Sequence, residues 1–289
     1  MNSKIILGTV QFGMQYGINN TTGQLTKDEV FRILDSAYDS NIKVLDTAAA
    51  YGNAEKKIGN YIQSRSDKAF KIITKCNLKQ GATPLESLKL SLRKLNVDKV
   101  DTFMFHSFDD FKETDQNDIE KLAEQKGESY LKLGISVYTN EQADEICAYD
   151  LFEVVQLPFN ALDNHNLRGK TLKKLQANAI ETHTRSVFLQ GLFFMDVNKI
   201  PLKLQPLKTY LEQIDTIAKD FNVGISALAL QYALSKLYID GLLIGVDSLE
   251  QMENNITMLA SEVSHQAIHA IDDIAVDESH LLNPAKWNL

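Results

Sequence analysis

Cysteine is nearly absent from this chain. Cys76 and Cys147 are its two, and they sit too far apart to form a metal-ligand pair or a disulfide framework. That pattern fits a reducing compartment and points to the cytoplasm. Basic tracts are missing as well. The net charge is −8, with the charges interspersed, so neither nucleic acid nor an anionic membrane is an expected partner. No apolar run approaches the roughly 18 residues that a membrane-spanning helix needs. The apolar run near the N-terminus, IILGTV, is too short for a signal peptide and reads as a first strand. Stretches rich in Pro, Gly or Ser are lacking too, which argues against a linker and for a single domain over residues 1–289.

What fills the chain is alternation. Short apolar runs, expected as strands, cover residues 5–10, 43–46, 71–75, 102–106, 132–136, 153–157, 179–188 and 241–246. Ile, Val, Leu and Phe dominate most of them, as in strands buried on both faces. Between them run helical patterns, notably 27–38, 85–95 and 225–237, the last apolar almost all round. Capping-box spacing precedes three helices, at Thr26 with Glu29, Thr83 with Glu86, and Ser248 with Gln251. The irregular stretch 190–205 has the length of a functional lid or of a loop with short structure of its own. Eight strand–helix units without a linker predict a (β/α)8 TIM barrel. A doubly wound sheet would carry G-x-G-x-x-G after its first strand, and Gly8-Thr9-Val10-Gln11-Phe12-Gly13 is not that motif.

Barrel chemistry sits where strands meet their following loops, so the polar residues there carry the functional reading. The second strand ends in Asp46, with Tyr51 in its loop; the third ends in Lys75 and the fourth in His106. Taken singly, each reads as a side chain reaching solvent or a satisfied structural residue. Together, from three neighbouring strands at one barrel face, they form a device. Asp46 supplies the counter-charge of Lys75. The ammonium beside Tyr51 is expected to favour phenolate and lower the phenol from its usual pKa of about 10, making it a usable general acid. His106 can orient a substrate oxygen. A single proton delivered to oxygen, with no metal and no Ser or Cys nucleophile, suits carbonyl reduction if a cofactor brings the hydride.

At these residues the sequence resembles the aldo-keto reductase superfamily, over nearly the whole chain. Tyr51-Gly52-x-Ala54-Glu55-x-x-Ile58-Gly59 is similar to its signature, and Asp46, Tyr51, Lys75 and His106 match its catalytic tetrad. The resemblance implies a nicotinamide dinucleotide laid across the barrel mouth. It places Ser136 and Gln156 at the carboxamide, and Arg185, with Ser186 after it, where many relatives stack an aromatic ring on the nicotinamide. It places Gly245, Ser248, Gln251 and Asn255 at the pyrophosphate and adenosine end. It also implies NADPH. NADH is the alternative, because Val246, Asp247 and Gln251 stand where NADP-preferring relatives carry Lys or Arg. Val137 replaces a polar Asn of many relatives.

The expected activity is reduction of an aldehyde or ketone, a sugar or sugar derivative among the candidates, by a monomer or small homo-oligomer. Two other readings stay open: a cofactor-binding regulatory protein with little turnover, and a lyase or isomerase using transient oxidation of a sugar. Cys76 is expected to point away from the site as a small buried hydrophobe, and Glu55 to order the helix after Tyr51. Phe12, Met14, Tyr138, the run 193–195 and Trp287 read as pocket walls or core.

Overall fold

The computed structural model describes residues 4–18, 20 and 23–287, with the side chain of Gln80 excepted; residues 1–3 and 288–289 of the expected domain lie outside it. In chain order its elements are β1 (Ile5–Gly8), α1 (Val10–Gly13), α2 (Lys27–Asp39), β2 (Val44–Asp46), α3 (Ala54–Ser64), β3 (Lys71–Lys75), α4 (Pro84–Leu95), β4 (Val100–Phe105), α5 (Phe108–Glu113), α6 (Gln116–Ala123) and β5 (Tyr130–Ser136). There follow α7 (Asn140–Ile146), β6 (Val154–Pro158), α8 (His165–Ala177), β7 (Glu181–Arg185), α9 (Lys208–Asp220), α10 (Ile225–Leu234), β8 (Gly241–Gly245), α11 (Leu249–Leu259) and α12 (His265–Asp272). The eight strands are parallel and close into a barrel in sequence order, β1 pairing with β8 from Ile5↔Leu242 to Gly8↔Gly245. This is the (β/α)8 fold.

Strand alternation sorts the side chains. Ile6, Ile73, Met104, Val154 and Leu243 meet inside the barrel, with Val44 packed against them. Gly134 and Gly241 make room in that layer: a Cβ on Gly134 would press on Met104, and one on Gly241 on Ile6 and His183. The residues of opposite parity, such as Leu45, Ile72, Phe103 and Phe105, point outward into the larger core beneath the helices. Thr26 and Thr83 form the expected capping boxes with Glu29 and Glu86. The third does not close. Ser248 accepts from Gln251 N, but the Gln251 side chain accepts from Asp247 N instead of the cap.

Four expected strands are shorter, β2 and β8 by a single residue each. β1 stops at Gly8, and Val10 opens α1, whose last residue, Gly13, lies against the Tyr51 backbone. β7 stops at Arg185 because Ser186 takes a positive φ of 64°, which breaks the extended run. The stretch after it carries short structure of its own, 3-10 turns at Leu189–Phe194 and Leu202–Leu207. Helix α10 ends at Leu234, before the expected 237. No helix among the described residues is long and apolar enough to cross a membrane.

Candidate active site

The interior apolar layer fixes what stands above it. Two residues beyond each interior position is the next inward side chain. That step leads from Val44 to Asp46, from Ile73 to Lys75, from Met104 to His106, and from Gly134 to Ser136. Continuing round the barrel, it leads from Val154 to Gln156, from His183 to Arg185, and from Leu243 to Gly245. All seven line one cavity of about 670 Å³ at the C-terminal mouth, with Tyr51, Ser186, Gln251 and Asn255. Ser248 is the exception among the expected site residues. It is not among the residues lining the cavity, and its hydroxyl accepts from Gln251 N at 3.1 Å as the cap of α11.

At the centre, Lys75 and Asp46 are 1% and 2% exposed and paired at 2.5 Å. Lys75 also donates to the Thr47 carbonyl at 3.0 Å. Asp46 accepts a second hydrogen bond from the Gln156 amide at 2.8 Å, so both carboxylate oxygens are satisfied. Gln156 thus orders the carboxylate, a role the sequence did not reveal. Burial pushes the Lys75 ammonium down, but the carboxylate and the phenol beside it outweigh this and hold it above its usual value.

Tyr51 follows β2 on a turn held by Tyr51 N donating to the Ala48 carbonyl at 3.0 Å. Its ring centroid is 5.2 Å from Lys75 Nζ and 5.8 Å from the His106 ring, which it meets edge-on at 81°. The expected lowering of the phenol does not occur. Burial raises Tyr51, and the charge of Lys75 only opposes that rise. The His106 imidazole is pushed down to about 4 by burial and then by Lys75, so it is neutral near pH 7.

Arg185 lies with its guanidinium carbon 4.2 Å from the Tyr138 ring centroid and donates to the Val137 carbonyl at 3.2 Å. Of the expected pocket walls, Tyr138 and Phe194 line the cavity, whereas Phe12 and Phe193 are core and Met14 is exposed outside it. Trp287 anchors the tail: it is buried and donates from Nε1 to the Leu281 carbonyl at 2.7 Å. The neighbouring Pro284 and Ala285 form the wall instead. Cys76 is buried in the outer core, where burial raises its thiol to about 12. Glu55 is also buried, accepting from Thr74 Oγ1 at 2.8 Å, and so ties α3 to β3.

The sequence reading missed Gln11, Tyr16 and Asn20. They come from the segment after β1, where no strand-end pattern flags them. Gln11 Oε1 is buried without a hydrogen-bond partner among the described residues, beside Gly245, whose backbone leaves that side of the cavity open. An orphaned acceptor in a cavity wall is what a ligand donor would satisfy. From Gly245 the wall continues through Gln251, Asn254, Asn255 and Met258, a polar flank with one apolar contact. These residues fit an extended dinucleotide running from the Lys75–Tyr51 centre to α11.

A family model described as the aldo/keto reductase family matches residues 4–276. The chain therefore belongs to the aldo/keto reductase family, whose members are nicotinamide-dependent oxidoreductases. Norsolorinic acid reductase stcV of Emericella nidulans is 24% identical over 94% of this chain and 78% of its own length. L-galactose dehydrogenase of Arabidopsis thaliana is 23% identical over 97% and 90% respectively. Among solved structures, an aldo-keto reductase from Bacillus halodurans in its holo form superposes with a TM-score of 0.74. Its sequence identity is 20%, and the match covers 96% of this chain and 95% of the other.

Proposed function

We propose that the cavity reduces a small aldehyde or ketone to an alcohol, with Tyr51 as proton donor. The observation that carries this is the convergence of Asp46, Tyr51, Lys75 and His106 from three adjacent strand ends around one open space. A nicotinamide dinucleotide bound along the wall would supply the hydride. Ser136, Gln11, Gly245, Gln251 and Asn255 are the residues that would hold it.

Each side chain has a task. His106, neutral, donates an N–H to the carbonyl oxygen and orients it without competing as an acid. Tyr51 keeps its proton at neutral pH because burial disfavours phenolate. As negative charge develops on the substrate oxygen, Tyr51 transfers that proton, and the adjacent ammonium of Lys75 stabilises the phenolate left behind. Asp46 keeps Lys75 charged, and Gln156 fixes the carboxylate that does so. The apolar layer below the centre closes the barrel floor to water.

The finer reading of the cofactor departs from the NADPH that the resemblance implies and puts NADH first. The cations among the described lining residues are Lys75 and Arg185, both at the barrel mouth, while Asp247 lines the wall near α11. A carboxylate there accepts from a ribose hydroxyl and repels a 2′-phosphate.

The test is turnover of NADH and NADPH with a panel of aldehydes and free sugars, wild type beside Tyr51→Phe. The variant should lose on the order of a hundredfold or more in kcat and retain cofactor affinity measured by fluorescence titration. Equal turnover by both proteins would remove Tyr51 from the proton path.

A further inference from the structure

One cation of the cavity, which the resemblance places at the nicotinamide, has no task in the proton transfer above. Lys75 is neutralised by Asp46, but Arg185 forms no ion pair among the described residues. The carboxylates lining the cavity are Asp46 and Asp247. Asp46 is fully occupied by Lys75 and Gln156. A third carboxylate whose charge reaches Arg185, that of Asp163, is gripped by Arg168 through two hydrogen bonds at 2.6 and 2.9 Å. One face of the Arg185 guanidinium is covered by Tyr138 and one N–H is spent on the Val137 carbonyl. The remaining N–H groups have no acceptor among the described residues.

Arg185 is also close to the chemistry. Its charge bears on Tyr51, His106 and Tyr16 together. Tyr16 lines the same cavity, with its hydroxyl accepting from Gln190 at 2.9 Å. A half-buried guanidinium with free N–H edges is suited to bidentate pairing with an oxyanion, and holding it without one is costly.

We propose that Arg185 is a receptor for an oxyanion on the substrate, so that the preferred substrates are aldehydes or ketones carrying a carboxylate or a phosphate a few bonds from the carbonyl. The proposal rests on the reading of this cavity as a carbonyl-reduction site. Arg185 fixes the charged end, and His106 and Tyr51 then meet the carbonyl at a set distance. Selectivity arises because a neutral analogue leaves the guanidinium unpaired in a narrow site.

The test uses matched pairs: butanal with succinic semialdehyde for the carboxylate, and glyceraldehyde with glyceraldehyde 3-phosphate for the phosphate. Wild type should favour the anionic member of at least one pair by tenfold or more in kcat/KM, and the pair that shows it names the anion. Arg185→Gln should lose roughly a hundredfold on that anionic member, as expected for truncating one partner of a buried charge pair, and bring the ratio close to one. Calorimetric titration of the protein–NADH complex with succinate and with inorganic phosphate requires no turnover. Binding of either by wild type and its loss in Arg185→Gln supports the receptor even if every panel aldehyde fails, an outcome that would instead retire the reductase reading. Equal loss on both members of each pair, together with weaker NADH affinity, would assign Arg185 to the cofactor and overturn the proposal. So would turnover without preference and without anion binding.

Discussion

At the residue scale, the buried Lys75–Asp46 pair is costly to assemble and sensitive to mutation. Removing one partner strands the other charge in a site where it is almost wholly buried. Lys75→Met should therefore destabilise the fold by about 3–5 kcal/mol, read from urea unfolding, besides abolishing turnover. Unchanged stability would mean that Asp46 is solvated or protonated in the variant. His106 adds a pH dependence. Its folded pKa of about 4 lies below the ordinary 6.5, so the unfolded chain binds the proton more tightly. The stability this contributes is complete above pH 6.5 and is lost as pH falls through 4. Between pH 7.5 and 4.5 wild type should lose about 2–3 kcal/mol more than His106→Gln. Parallel pH profiles for the two proteins would refute the buried neutral imidazole. Asp46, Lys75 and His106 were legible in the sequence because each ends an apolar strand with the parity of an interior residue. Their mutual satisfaction was not. The amide that secures Asp46 belongs to Gln156, 110 residues away, and no local pattern pairs the two. The phenol of Tyr51 was misread for a similar reason: a neighbouring cation can be inferred from strand order, but the depth of burial that outweighs it cannot.

At the element scale, α1 matters more than its four residues suggest. A Cβ on Gly13 would stand 1.7 Å from the Tyr51 carbonyl oxygen, and one on Gly52, at a φ of +54°, would stand 2.2 Å from the Gly13 carbonyl oxygen. The two backbones touch, and this contact sets how far the Tyr51 turn reaches over the mouth. Gly13→Ala should force the turn outward and lower kcat by about a hundredfold, the scale of an ångström-sized misplacement, while NADH affinity changes little. Steady-state kinetics beside fluorescence titration check this, and a fully active variant would mean that the turn is not held there. The same segment shows where pattern reading stopped. Val10 continues the apolar run of β1, so periodicity alone extends the strand. The close approach that bends the chain into α1 is tertiary. β7 likewise looks continuous to Phe188, and only the left-handed Ser186 ends it. Strand order and the capping boxes of α2 and α4 rest on short-range spacing, which is why they were readable.

At the scale of the whole molecule, a ligand that spans from the barrel mouth to α11 couples elements from both ends of the chain. Saturation at a hundred times the dissociation constant adds about 2.7 kcal/mol to the folded state. At equal concentration NADH should raise the melting temperature more than NADPH, and Asp247→Ala should narrow the gap. An unaltered gap in calorimetry would exonerate Asp247. The seam between β1 and β8 has a further consequence, one of timing. The first strand leaves the ribosome with one lateral edge bare and must wait for the last strand to cover it. Asp46, Tyr51, Lys75 and His106 are all synthesised before residue 107, whereas Gly245 ends β8 and Gln251 and Asn255 follow it on α11. For on the order of ten seconds of translation, the nascent chain carries all four residues of the proposed proton path but, of the residues proposed to hold a dinucleotide, Gln11 and Ser136 alone. Assembly of the full cavity wall thus waits for the last strand and the helix after it.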